Sequence, residues 1–213
     1  MQTRVEWFRK TSWSAADALD FEQRLGRSRG QRTQYLKLQA WHLAETHKPS
    51  LAGPAIDLAH RYLQEEPAGI FETQAHLIIA TARTTLNDIP GAIQAFRAAI
   101  AAEVRPRQVR CCAYIQFAWF VATNGIADQF DFALESIEAM EESDLTFPLA
   151  QYRYFGALAL ISAAMEDHDQ AKRMAQNALV AQERASPFPR HKGVGVVNGI
   201  DPTIQDKLRH LAA

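Results

Sequence analysis

The chain is 213 residues long, 47% hydrophobic and 22% charged, with a net charge of −1. So apolar a sequence can bury a sizeable core, which excludes disorder for the bulk of it. So balanced a charge excludes an overall pull toward nucleic acid or anionic lipid. Met1 to Lys10 mixes Arg4, Glu6, Arg9 and Lys10 with isolated aromatics and leads into no uninterrupted apolar segment. Neither a signal nor a membrane span is therefore expected, and the cytoplasm is the expected location.

Apolar residues at helical spacing fill nearly the whole length, and no run alternates as a half-buried strand would. Ser14 with Asp17 resembles a capping box and opens a helix through Leu25; Gly30 then breaks the chain before a helix from Arg32 to about His47. Ser50 is expected to cap the next helix, with Pro54 tolerated in its first turn. Pro67 and Gly69 precede a helix from Phe71 to Leu86, and Asn87, Asp88 and Pro90 turn the chain into one ending near Glu103, closed by Pro106. Helices follow from about Gln108 to Thr123, Asp128 to Met140, Pro148 to Met165 and Asp169 to about Arg184. Ser186 to Ile200 reads as an extended arm before a terminal helix capped by Asp201. Short turns between long helices make neighbours antiparallel.

A small residue opens the second helix of each pair, followed at +4 and +7 by residues that pack inward. The sets are Ala55 with Ala59 and Tyr62, Ala92 with Phe96 and Ala99, Ala133 with Ile137 and Met140, and Ala171 with Ala175 and Ala178. Their starts lie 37, 41 and 38 residues apart, a helix-pair period in which small residues let two helices cross closely. Thr73 to Pro106 resembles a degenerate tetratricopeptide (TPR) repeat through Ala80, Ala92, Phe96, Ala99 and Pro106, although His76 and Arg83 stand where that family prefers large aromatics. Tyr152 to about Arg184 is similar, through Phe155, Leu158, Ala159, Ala171 and Ala178. Trp7-Phe8-Arg9 with Trp13, Gln34-Tyr35-Leu36 with Gln39-Ala40, Phe147-Pro148 and Gly193 to Val197 resemble phrases of an uncharacterised family of bacterial TPR-like proteins. That family carries no assigned activity.

The expected fold is all-α: antiparallel helix pairs stacked as a short TPR-like α-solenoid with capping N- and C-terminal helices. About four pairs would occupy residues 1–185, and residues 186–213 would form the arm and C-terminal cap of the same domain. The competing arrangement is an irregular helical bundle with no true repeat.

The resemblance implies a concave groove that holds another protein or a peptide, and by position it assigns Gln74, Leu77, Thr81, Thr84 and Arg153 to partner binding. The function so implied is a protein-interaction scaffold or adaptor, an accessory or regulatory subunit of a larger assembly; a homo-oligomer stays open. The alternative is a small-ligand or RNA sensor using the groove and the basic clusters Arg24, Arg27, Arg29, Arg32, Lys37 and Arg105, Arg107, Arg110. Nucleic acid is the less expected partner, because Arg24 to Lys37 contains just Tyr35 for stacking. The seven histidines show no metal or catalytic spacing, and Cys111 and Cys112, adjacent in an apolar helical stretch, read as buried reduced thiols. Lys192-Gly193-Val194-Gly195-Val196 has no strand before it, unlike a phosphate-cradling loop. No enzyme activity, metal or cofactor is expected. Trp7 and Trp13 read as staples of the N-terminal segment onto the first helix pair, with an exposed partner anchor as the alternative.

Overall fold

The computed structural model describes residues 6–28, 30–138 and 141–213. Among them the chain forms ten α-helices and two 3₁₀ turns, with no strand and with neighbouring helices packed on one another. It divides into two units, residues 1–113 and 114–213.

The first unit begins with α1 (Ala15–Arg27), α2 (Arg32–Ala44) and α3 (Pro49–Glu65). Ser14 and Asp17 form the expected capping box, each side chain accepting the other's backbone N–H. The Asp17 carboxyl is held at about 2, below its ordinary range, by the Ser14 N–H and then by Lys10. Trp7 lies 5.3 Å from Phe21 and 4.8 Å from Tyr35, and Trp13 lies 5.4 Å from Phe21. Both indoles thus staple the N-terminal segment onto α1 and α2. Buried Gln39 fastens the same segment by accepting from the Lys10 N–H at 3.0 Å and donating to the Lys10 carbonyl at 2.8 Å. The third helix starts earlier than Ser50 would place it: Lys48 is the N-cap, Pro49 is the first helical residue, and Pro54 falls past the first turn.

Next come α4 (Glu72–Thr85) and α5 (Ile89–Glu103), joined by a turn in which Asp88 caps the Gly91 N–H at 3.0 Å. The helix expected from Gln108 begins only at Ala113, so Cys111 and Cys112 lie outside it. Its start is delayed because the Glu103 carboxylate gathers the N–H groups of Cys111, Cys112 and Ala113, while Val109 N–H bonds back to the Ile70 carbonyl at 2.9 Å. Both cysteines are half-buried, and burial pushes the Cys111 thiol up to about 11, which leaves it a poor nucleophile.

The second unit contains α6 (Ala113–Asn124), a 3₁₀ turn at Ala127–Gln129, α7 (Phe130–Ile137), a 3₁₀ turn at Glu142–Leu145, α8 (Pro148–Ala164), α9 (His168–Gln182) and α10 (Pro202–Ala212). The helix expected over Asp128 to Met140 is split and shorter, and Met140 lies outside the described residues. Asp167, not Asp169, caps α9, accepting from the Gln170 N–H at 3.0 Å. Gly156 lets α8 approach α6: a Cβ there would come within 2.7 Å of the Trp119 ring. The arm docks through its backbone, the Gly195 carbonyl accepting from the Leu149 N–H at 2.8 Å in the first turn of α8. Its glycine stretch therefore acts as an acceptor, not as a cradle of N–H donors. Asp201 caps α10 as expected, and Ile204 and Leu208 bury against Tyr152, Ala159, Ala175 and Ala178.

One hairpin device recurs along the chain. A residue with positive φ ends the first helix of each pair at His47, Asn87, Gly125 and Glu166, at intervals of 40, 38 and 41 residues. In three of these turns the following N–H reaches five residues back, Asp88 to Arg83, Ile126 to Val121 and Asp167 to Ser162, the hydrogen bond of a Schellman motif. Three hairpins also carry a polar tie between the start of the first helix and the end of the second: Arg32 to Glu65 at 2.7 Å, Glu72 to Arg105 at 2.6 Å and Gln151 to Arg184 at 2.7 Å. Every tie spans 33 residues and starts 15 before the positive-φ residue. Counted in this register, Ala92, Phe96 and Ala99 correspond to Ala171, Ala175 and Ala178. In α3 and α7, however, they correspond to Ala52, Ile56 and Ala59 and to Phe130, Leu134 and Ile137, three residues earlier than the spacing of small residues indicated.

Candidate functional site

Each unit carries a recess beside one of these hairpins. In the first unit a cavity of about 190 Å³ is lined by His60 of α3, by His76, Ile79 and Arg83 of α4, and by Gly91, Gln94, Ala95 and Ala98 of α5. Residues 76, 79 and 83 share one face of α4 by helical spacing. The Arg83 guanidinium lies across Gly91, where a Cβ would stand 2.0 Å from Nη1, and Nη1 donates to Asp88 at 2.9 Å. Its Nε is buried with no hydrogen-bond partner among the described residues. Burial pulls His76 below the ordinary histidine value; Glu72, 3.7 Å away, works against this, while Arg105 and His60 reinforce it.

In the second unit an open cleft of about 720 Å³ runs beside α8 and α9, walled by the 3₁₀ turn at Glu142–Leu145. Leu145, Phe155 and Val180 supply apolar surface, and Ser143, Thr146, Gln151, Asn177 and Arg184 supply polar groups. Gln151 is the pivot: it donates to the Leu145 carbonyl at 2.6 Å and accepts from Arg184 at 2.7 Å. Buried Asp144 holds the wall by accepting from the Tyr114 hydroxyl and from the Glu141 N–H.

The partner-binding residues expected from sequence fall in different places. On α4, Leu77 is 7% exposed and packs in the core, whereas Gln74, Thr81 and Thr84 are half-buried, with the Thr84 hydroxyl donating to the Ala80 carbonyl. Arg153 is half-buried on α8, in the second unit. None of the five lines either recess. In the basic cluster near the N-terminus, exposed Arg24 pairs with Asp20 and Arg32 with Glu65, whereas buried Lys37 sets its ammonium 3.2 Å from the Phe71 ring centroid. Arg29 lies outside the described residues. The recess residues other than His76 and Arg83 were not legible from sequence, and those two were visible only as departures from a packing pattern.

Among the described residues no group of three or more His, Cys, Asp or Glu is placed to hold a metal ion, and no helix is long and apolar enough to cross a membrane. Compared with family models, curated proteins and solved structures, the chain matches none.

Proposed function

We propose that this chain is a TPR-like helical scaffold that binds another protein, and that the cleft beside α8 and α9 takes an extended segment of that partner. The cleft carries the reading. An extended peptide presents alternating side chains and a row of amide groups, and the cleft sets exposed Val180 and half-buried Phe155 among Asn177, Gln151 and Arg184. The recurrent turn and tie support the repeat architecture, whose concave faces suit such partners. In this reading the α4 face with Gln74, Thr81 and Thr84, and Arg153 on α8, are further partner contacts.

Affinity purification from the native cell tests it, with Val180→Asp and Asn177→Ala in the cleft beside Gln74→Ala and Arg153→Glu. A partner lost with the cleft variants supports the peptide site; loss with only the other two moves the contact to the sequence-assigned face. A demonstrated partner held normally by all four variants removes both surfaces from the proposal.

A further inference from the structure

The structure points to a second binding site: we infer that the cavity between α3, α4 and α5 takes a small organic anion, a carboxylate or phosphate group on a short apolar body. This rests on the hairpin register and on the chemistry of the lining, independently of the protein-binding cleft.

In the turn-and-tie register, the positions of His76 and Arg83 are occupied by Leu36 and Leu43 in α2, both fully buried. They are Tyr114 and Val121 in α6, and Phe155 and Ser162 in α8. Positions filled elsewhere by mostly apolar core side chains here present an imidazole and a guanidinium to an open space. Close packing is the default of such an interior, so a recess lined by a guanidinium and an imidazole at packing positions is not explained by folding.

The guanidinium is also held in place. Asp88 engages Nη1, and Gly91 supplies the room for it to lie flat. That arrangement leaves Nε–H buried without a partner among the described residues, an unfavourable state for a charged donor. Of the nearby carboxylates, Glu72 accepts from Arg105 at 2.6 Å through Oε1 while its Oε2 is buried without a partner among the described residues, and Asp88 accepts from Arg83. The polar groups facing the space are thus a guanidinium, two imidazoles and the Gln94 amide, over a floor of Ile79, Ala95 and Ala98. The recess of about 190 Å³ fits the head of a short organic acid or a small phosphoester. Because binding favours the imidazolium form of His76, affinity rises as pH falls through its titration, with Glu72, Asp88, Arg83 and Arg105 as the fixed charges around it and His60 as the neighbouring imidazole.

Titration of the full chain with isobutyrate, and separately with inorganic phosphate, tests the site while NMR follows the ring protons of His60 and His76, with sodium chloride as the ionic-strength control. The expected result is a saturable shift with one of the two anions, a raised His76 pKa in its presence, and affinity weakened about tenfold or more in Arg83→Gln and Gln94→Glu. Saturation by isobutyrate identifies a carboxylate site, and saturation by phosphate a phosphoester site. Gln94 is exposed on α5, so Gln94→Glu keeps the test open should Arg83→Gln fail to fold. No saturable shift with either anion, or an equal response in wild type and Gln94→Glu, overturns the inference.

Discussion

The α4–α5 and α8–α9 hairpins share one backbone device but line different recesses. Both turn through a positive-φ residue, Asn87 or Glu166, and cap the second helix with the next aspartate, Asp88 or Asp167. Both carry the 33-residue tie, as Glu72–Arg105 in one and Gln151–Arg184 in the other. Their recesses include corresponding positions: His76 and Ala98 line the cavity, and Phe155 and Asn177 line the cleft. The contrast lies in side-chain chemistry and in what else covers each hairpin, since α10 packs on α8 and α9. A constant turn and tie preserve the geometry, so the side chains between them can differ without changing the hairpin.

The contrast can be broken most severely at the α10 seam. Leu208 is fully buried, and Leu208→Ala is expected to cost about 3 kcal/mol in urea unfolding; a loss under about 1 kcal/mol would show that α10 only rests on the hairpin. Gly156 occupies the place of Leu77 in α4, and Gly156→Val is expected to destabilise by about 2 kcal/mol because the Trp119 ring must move. A neutral result would mean the α6–α8 approach is looser than the structure has it. The ties come next. Arg105→Gln leaves the largely buried Glu72 carboxylate poorly paired and should cost about 1 kcal/mol, whereas Arg184→Gln, facing an uncharged amide, should cost about 0.5 kcal/mol or less. Equal effects would erase that distinction between the hairpins. The smallest changes come at Thr73 and Tyr152, which share one register position and each bury a hydroxyl without a partner among the described residues. Thr73→Val and Tyr152→Phe should be neutral or stabilising by up to about 1 kcal/mol, and a clear loss in either would reveal a bond that the hydroxyl makes in solution.

Much of the local architecture was legible because its causes are local. The Ser14–Asp17 box, the Asp201 cap and the prolines that open α8 and α10 act within a few residues of themselves. The repeat was legible as a period but not in register. Residues three apart on one helix face are both buried, as Ala52 and Ala55 are, so a template of small residues slips by three without penalty. Only the turn at His47 and the tie from Arg32 to Glu65 remove that ambiguity, and the tie joins residues 33 apart. The segment at 107–112 failed for a similar reason, because one side chain, Glu103, takes the N–H groups that Cys111 and Cys112 would have given to a helix.

By itself the sequence determined the all-helical chain, the Ser14 and Asp201 caps and the near-forty-residue period, since apolar spacing and capping chemistry are read over a turn or two. It also marked His76 and Arg83 as foreign to a packing pattern. Tertiary structure alone decided that Leu77 turns into the core, that His60 joins His76 and Arg83 around one cavity, and that Gln151 and Arg184 build the wall of a cleft. Those outcomes depend on which faces of separate helices meet, and distant contacts, not neighbouring residues, set that choice.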